Sequence, residues 1–116
     1  GGGAAVHQFV RIGAGAMIGG LAEVSLNVPP QVLLSGRNEI SGLNLVGLRR
    51  RNYPREDISS LKSAYSRIYQ SGNLVGNAEN FIDSLDGGTS CNLAKEFARF
   101  FTPDSRGYAR PRSKSQ

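Results

Sequence analysis

Val6-His7-Gln8-Phe9-Val10-Arg11, Ile12-Gly13-Ala14-Gly15-Ala16-Met17, Ile18-Gly19-Gly20-Leu21-Ala22-Glu23 and Val24-Ser25-Leu26-Asn27-Val28-Pro29 are successive hexads, each opening on an aliphatic residue. A period of six matches neither the 3.6 residues of a helical turn nor the two-residue alternation of a strand. It matches a triangular prism of short strands, in which three hexads complete one coil. One aliphatic per face points inward, and small residues let the backbone turn each corner. Hexapeptide repeats mark parallel β-helices.

The run holds little more than one coil. A repeat unit cannot bury its apolar face alone, and stacked neighbours are normally required. Each inward aliphatic is worth about 1.5–3 kcal/mol only where a neighbouring coil covers it. Gly1-Gly2-Gly3-Ala4-Ala5 reads as the middle of a hexad. The expectation is the C-terminal end of a longer protein, or a naturally shortened relative, with an exposed β-edge over residues 1–12 that invites association.

Composition narrows the classes. The chain has 116 residues, room for one domain or two small ones. Glycine crowds the first half and charge the second, which sets a boundary near residues 35–52. A net charge of +5 and a pI of 9.9 point to an anionic partner. The single cysteine, Cys91, excludes an internal disulfide framework and a cysteine-based zinc site, and fits a reducing compartment. No run of about 18 apolar residues offers a membrane span. Residues 1–5 lack the basic start and apolar core of a secretory signal.

The second half reads as helices. Pro54 suits a helix start, and Glu56 and Asp57 suit its first turn. Ile58, Leu61, Ala64, Tyr65, Ile68 and Tyr69 recur at helical spacing, with Gly72 as the stop. A second helix is expected over about residues 77–86, with Phe81, Ile82 and Leu85 inward, broken by Gly87-Gly88. Thr89 or Ser90 can cap a third, striped by Leu93, Ala94, Phe97, Phe100 and Phe101 and ended by Pro103. Such a small bundle buries too little surface to stand firmly alone. The basic tail from Ser105 is expected to fray.

Together these segments resemble the C-terminal part of the UDP-N-acetylglucosamine O-acyltransferases, the first enzymes of lipid A synthesis. The resemblance rests on Ala5-Val6-His7-Gln8-Phe9, Met17-Ile18-Gly19-Gly20, Asn27-Val28-Pro29-Pro30 and Gly42-Leu43-Asn44-Leu45-Val46-Gly47-Leu48-Arg49-Arg50-Arg51. Ala64-Tyr65, Ile68-Tyr69-Gln70-Ser71-Gly72, Phe97-Ala98-Arg99-Phe100-Phe101 and Ser105-Arg106-Gly107 extend it along nearly the whole chain. A lone hexad run is weak, because many acyltransferases share it; the ordered set is specific.

The resemblance implies a β + α fold, the end of a left-handed parallel β-helix followed by a small C-terminal helical domain. Residues 1–35 would be the terminal coils, 36–52 a connecting segment, 53–104 the three-helix domain and 105–116 the flexible tail. It implies a cytoplasmic homotrimer with active sites between subunits (organellar if a targeting segment lies upstream). The reaction moves a 3-hydroxyacyl chain from acyl carrier protein to UDP-N-acetylglucosamine and needs no cofactor. A histidine in an upstream coil would be the general base. This chain holds no catalytic residue by that reading and is expected to be inactive alone.

Site residues carry over position by position. His7 and Gln8 match residues lining the substrate cleft; a partly buried polar corner is the plainer role for a lone histidine. Met17 and Gly20 match the border of the acyl groove; core filling for Met17 and a corner of positive φ for Gly20 are the plainer roles. Asn44, Arg50 and Arg51 match contacts to the nucleotide sugar, where guanidinium forks suit phosphate oxygens. Arg49 is the candidate to face acidic acyl carrier protein. Where the family pattern has an acidic residue this chain has Val46, which loses a hydrogen-bond acceptor for the sugar and puts its identity in doubt.

Tyr65 and Tyr69, four residues apart with Arg67 between them, read as core or interface rather than as a platform for stacking on a base. Cys91 reads as a small apolar filler. Two other functions compete: a non-catalytic trimerisation or nucleotide-sugar-binding module, and a small nucleic-acid binder. The latter has charge but no accompanying motif.

Overall fold

The computed structural model describes residues 3–85 and 92–112. The backbone divides at Asn44 into two units, residues 1–44 with 104–116, and residues 45–103.

In the first unit the six-residue period becomes backbone geometry. The strands β1 (Ala5–Val6), β2 (Met17–Ile18) and β3 (Glu23–Val24) are two residues each. Around them the chain turns at Gly3, Phe9, Gly15 and Leu21, all with φ between 65° and 82°. β1 pairs in parallel with β3 and sets Val6 beside Val24, three hexads on. Ile12 bridges in parallel to Val28, and β2 runs parallel to β4 (Val32–Ser35) with Ile18 beside Leu34. The amides of His7, Gly13 and Gly19 donate to the carbonyls of Val24, Val28 and Leu34, each at 2.8 Å. Those rungs also recur every six residues.

The second coil is not a copy of the first. Its second side is two residues shorter, so Val28 rather than Pro30 lies beside Ile12. Val24, Val28 and Leu34 are buried, whereas Val6 and Ile12 are 48% and 41% exposed. The difference is one of cover: β1 has a single strand neighbour among the described residues.

The glycines after the inward aliphatics are not the corners. A Cβ on Gly13 would strike the backbone of Pro30, its Cα at 2.7 Å. Gly13 therefore lets adjacent coils approach, and Gly19 does the same less tightly beside the Leu34 carbonyl at 3.1 Å. The corners are Gly3, Phe9, Gly15 and Leu21, two of them large side chains.

Residues 36–52, expected as a connection, contain two elements. β5 (Glu39–Leu43) turns back antiparallel on β4, and α1 (Leu45–Arg50) follows. Gly36 and Asn38 hold φ of 52° and 54° in the turn. The Asn38 Oδ1 accepts from the amides of Ser25 and Leu26 at 2.8 and 3.0 Å, tying the turn to the coil.

The expected fraying from Ser105 is corrected for residues 105–112. Tyr108 and Ala109 are buried, and β6 (Arg110–Pro111) pairs in parallel with β5. Specific polar bonds hold the segment. Buried Asn27 donates through Nδ2 to Asp104 Oδ2 at 2.9 Å, and its backbone bonds Gly107 and Ala109. Arg11 donates to the Tyr108 hydroxyl at 2.9 Å, and Arg112 grips Glu39 with two bonds of 2.9 and 3.0 Å.

The second unit adds α2 (Arg55–Ile68), α3 (Leu74–Ser84) and α4 (Asn92–Arg99). Pro54, expected as the first helical residue, stands one position earlier as the extended N-cap of α2, with Glu56 and Asp57 in the first turn. α2 stops at Ile68, ahead of Gly72. α3 starts earlier than its pattern suggested, because Asn73 caps it by accepting from the Gly76 amide. Ile58, Leu61, Ala64, Ile68, Phe81, Leu93, Ala94, Phe97 and Phe101 are buried, while Phe100, Ile82 and Leu85 are only partly so. Tyr65, Tyr69, Phe97 and Phe101 form one cluster with ring centroids 5.3–6.5 Å apart, the tilted and edge-on geometry aromatic rings favour. Burial pushes the Tyr65 hydroxyl above its ordinary pKa. Gly87-Gly88, Thr89, Ser90 and Cys91 lie outside the described residues.

Candidate functional site

The coil places its candidates at separate corners. His7 and Gln8 are exposed and lead into the Phe9 corner. Met17 lies in β2 and is exposed, and Gly20, also exposed, precedes the Leu21 corner. Leu21, not Gly20, takes the left-handed backbone. Phe9 and Leu21 are 82% and 81% exposed, so both corners project apolar surface. Within one chain the His7–Gln8 pair and the Met17–Gly20 pair are not brought together: the Gly15 corner separates them.

Asn44 is drawn inward. It ends the first unit between β5 and α1 and is buried. Its amide donates to the Gln31 carbonyl at 2.6 Å, and its Nδ2 donates to the Gly15 carbonyl at 3.2 Å. Gln31 itself is 2% exposed with φ 65°, and its Oε1 has no hydrogen-bond partner among the described residues. A Cβ on Gly15 would collide with that Gln31 side chain. The positive φ favours glycine at Gly15, and a larger residue there would also push the end of the Gln31 side chain aside.

The arginines sit at the end of α1. Arg49 and Arg50 occupy its last turn, where a cation suits the helix dipole. Arg51 turns back, its Nε donating to the Gly47 carbonyl at 3.1 Å. Arg50 is exposed and forms no ion pair among the described residues. Asn52, with φ 62°, closes the helix. Val46, in the first turn, is exposed rather than packed.

Arg49 also belongs to a feature the sequence reading missed. With Tyr53, Arg55, Ile58, Ser59 and Lys62 it lines a groove of about 600 Å³. Among the described residues three cations and no carboxylate line it, so it attracts anions. Arg55, Ser59 and Lys62 lie four and three residues apart on α2, a spacing that puts them on one face and was visible in the sequence.

Two carboxyls of the polar clamps are shifted from their ordinary pKa. The Arg106 amide, then the Asn27 amide and the charge of Arg11, hold the Asp104 carboxyl below the ordinary range. Arg112 does the same for Glu39. Among the described residues, no group of His, Cys, Asp and Glu is placed to hold a metal ion. No described helix is long and apolar enough to cross a membrane.

Comparison with known proteins gives these positions a setting. The family model described as UDP-N-acetylglucosamine O-acyltransferase, domain 2, matches residues 27–109. The acyl-acyl-carrier-protein–UDP-N-acetylglucosamine O-acyltransferase of Nautilia profundicola is 41% identical over 104 residues, covering 88% of this chain and 39% of the relative. The solved UDP-N-acetylglucosamine acyltransferase from Campylobacter jejuni superposes with a TM-score of 0.79 at 31% identity, covering 94% of this chain and 42% of the other. The Arabidopsis UDP-N-acetylglucosamine acyltransferase gives 0.78 at 30% identity, covering 92% and 40%. The chain thus spans about 40% of the length of the relatives it matches.

Proposed function

Because the chain belongs to the UDP-N-acetylglucosamine O-acyltransferase family, we propose that it forms the C-terminal portion of an enzyme that moves a 3-hydroxyacyl chain from acyl carrier protein to UDP-N-acetylglucosamine. In this reading the stacked coil is the end of a left-handed β-helix, and three copies assemble around it in the cytoplasm. The general base is a histidine of another coil, since His7 is the one histidine here. What this chain supplies is binding.

The division of labour follows the chemistry of the side chains. Arg50 takes a phosphate of the nucleotide sugar, as an exposed guanidinium without an internal acid. Arg51 assists, its reach shared with the Gly47 carbonyl. Asn44, buried and held by its backbone amide and Nδ2, belongs to the same ligand site in this reading. His7 and Gln8 line the acceptor cleft, while Met17 and Gly20 border the acyl groove. Those pairs occupy different corners of one chain, so a site using both is completed by a neighbouring copy. The Arg49–Arg55–Lys62 groove suits the acidic surface of acyl carrier protein. Val46 leaves the sugar pocket without a carboxylate, which relaxes selectivity at one sugar position.

The observation that carries the proposal is the family match over residues 27–109, a span that includes Asn44 and Arg49–Arg51. Titration calorimetry on the full-length parent tests it. Arg50→Ala is expected to weaken UDP-N-acetylglucosamine binding by about tenfold or more, the loss of a charge-assisted bond, with the trimer intact. Unchanged affinity would remove Arg50 from the site.

A further inference from the structure

A second concavity, of about 290 Å³, opens among α2, α3 and α4 and shares no lining residue with the Arg49 groove. Ser60, Ser63 and Arg67 reach it from one face of α2, at spacings of three and four residues. Phe81, Leu85 and Ala94 give it an apolar wall.

Arg67 is set in place before any ligand arrives. Its guanidinium lies over the Phe81 ring, 5.1 Å from the centroid. Its Nη1 donates to Ser84 Oγ at 3.1 Å, and that hydroxyl in turn donates to the Phe81 carbonyl at 2.7 Å. The charge has no carboxylate within ion-pair distance among the described residues. The remaining N–H groups of a stacked guanidinium lie in its own plane, available as a fork. The Ser60 and Ser63 hydroxyls line the same space as further donors.

We propose that this cleft binds a phosphate monoester carried on a small apolar body. A fork plus two hydroxyls supplies donors in several directions, which suits a phosphate with three accepting oxygens better than a flat carboxylate with two. The wall of Phe81, Leu85 and Ala94 takes the apolar body. The volume admits a single ring or a short chain beside the phosphate and excludes a nucleotide.

The test is an NMR titration of the ¹⁵N-labelled chain at low salt, with phenyl phosphate as probe and inorganic phosphate and benzoate as controls. Phenyl phosphate is expected to shift the resonances of Ser60, Ser63, Ser84 and the Arg67 side chain, and to bind at least tenfold more tightly than either control. Arg67→Gln is expected to weaken binding at least tenfold. Ser63→Ala, at an exposed hydroxyl, is expected to weaken it severalfold with the spectrum of the fold retained. Shifts that are absent, that persist unchanged in both variants, or that centre on Arg49 and Lys62 would overturn the proposal. Benzoate binding as tightly as phenyl phosphate would overturn it too.

Discussion

Phe9 and Leu21 hold a left-handed backbone without the freedom of glycine, at a cost of about 1–2 kcal/mol each. The stacking of the coil enforces it, because corners must recur every six residues whatever residue stands there. The glycines serve another need at Gly13. Gly13→Ala places a methyl against the Pro30 backbone, and an overpacked site costs about 1–3 kcal/mol. Urea unfolding is expected to show that loss, and an unchanged midpoint would mean that the coils are not in contact there. Asp104 is a different kind of residue, a polar latch. Its carboxyl is held below its ordinary pKa, so its contribution is complete above that ordinary value and fades as pH falls through the lowered one. The stability gap between the wild type and Asp104→Asn is therefore expected to narrow from neutral pH toward pH 3, followed by chemical denaturation at each pH. A gap independent of pH would deny the latch its charge.

At the scale of elements, periodicity was legible wherever it was long enough. The α2 stripe of Ile58, Leu61, Ala64 and Ile68 is buried as its spacing requires, and so is the α4 stripe of Leu93, Ala94 and Phe97. Phe97 is the hinge of the aromatic cluster, touching Tyr65, Tyr69 and Phe101. Phe97→Ala is expected to destabilise by about 3–5 kcal/mol, read as a lower thermal midpoint with loss of near-ultraviolet dichroism; a loss below about 1 kcal/mol would mean the cluster is loosely packed. The six-residue α1 was not legible, because fewer than two turns carry no period. The β4–β5 hairpin was hidden for another reason. Its turn depends on Asn38 reaching the Ser25 and Leu26 amides, a bond that no local pattern announces.

At the scale of the molecule, what sequence could not supply was distance along the chain. Residues 104–112 return to the coil through Asn27, Arg11 and Glu39, partners roughly seventy or more positions away. A run that looks like a polar tail locally is a fourth strand of a sheet globally. The site divides in the same way. Residue types and family spacing singled out Arg50 and Asn44, but only the fold shows that Asn44 is pinned to the Gly15 corner while Arg50 is open. The whole account depends on the six-residue period stacking one coil on the next with a two-residue contraction. Nuclear Overhauser contacts across the coil test that directly. Cross-peaks joining Val6 to Val24, Ile12 to Val28 and Ile18 to Leu34 are the predicted result; Ile12 joined instead to Pro30, or helical sequential contacts through residues 5–28, would contradict it.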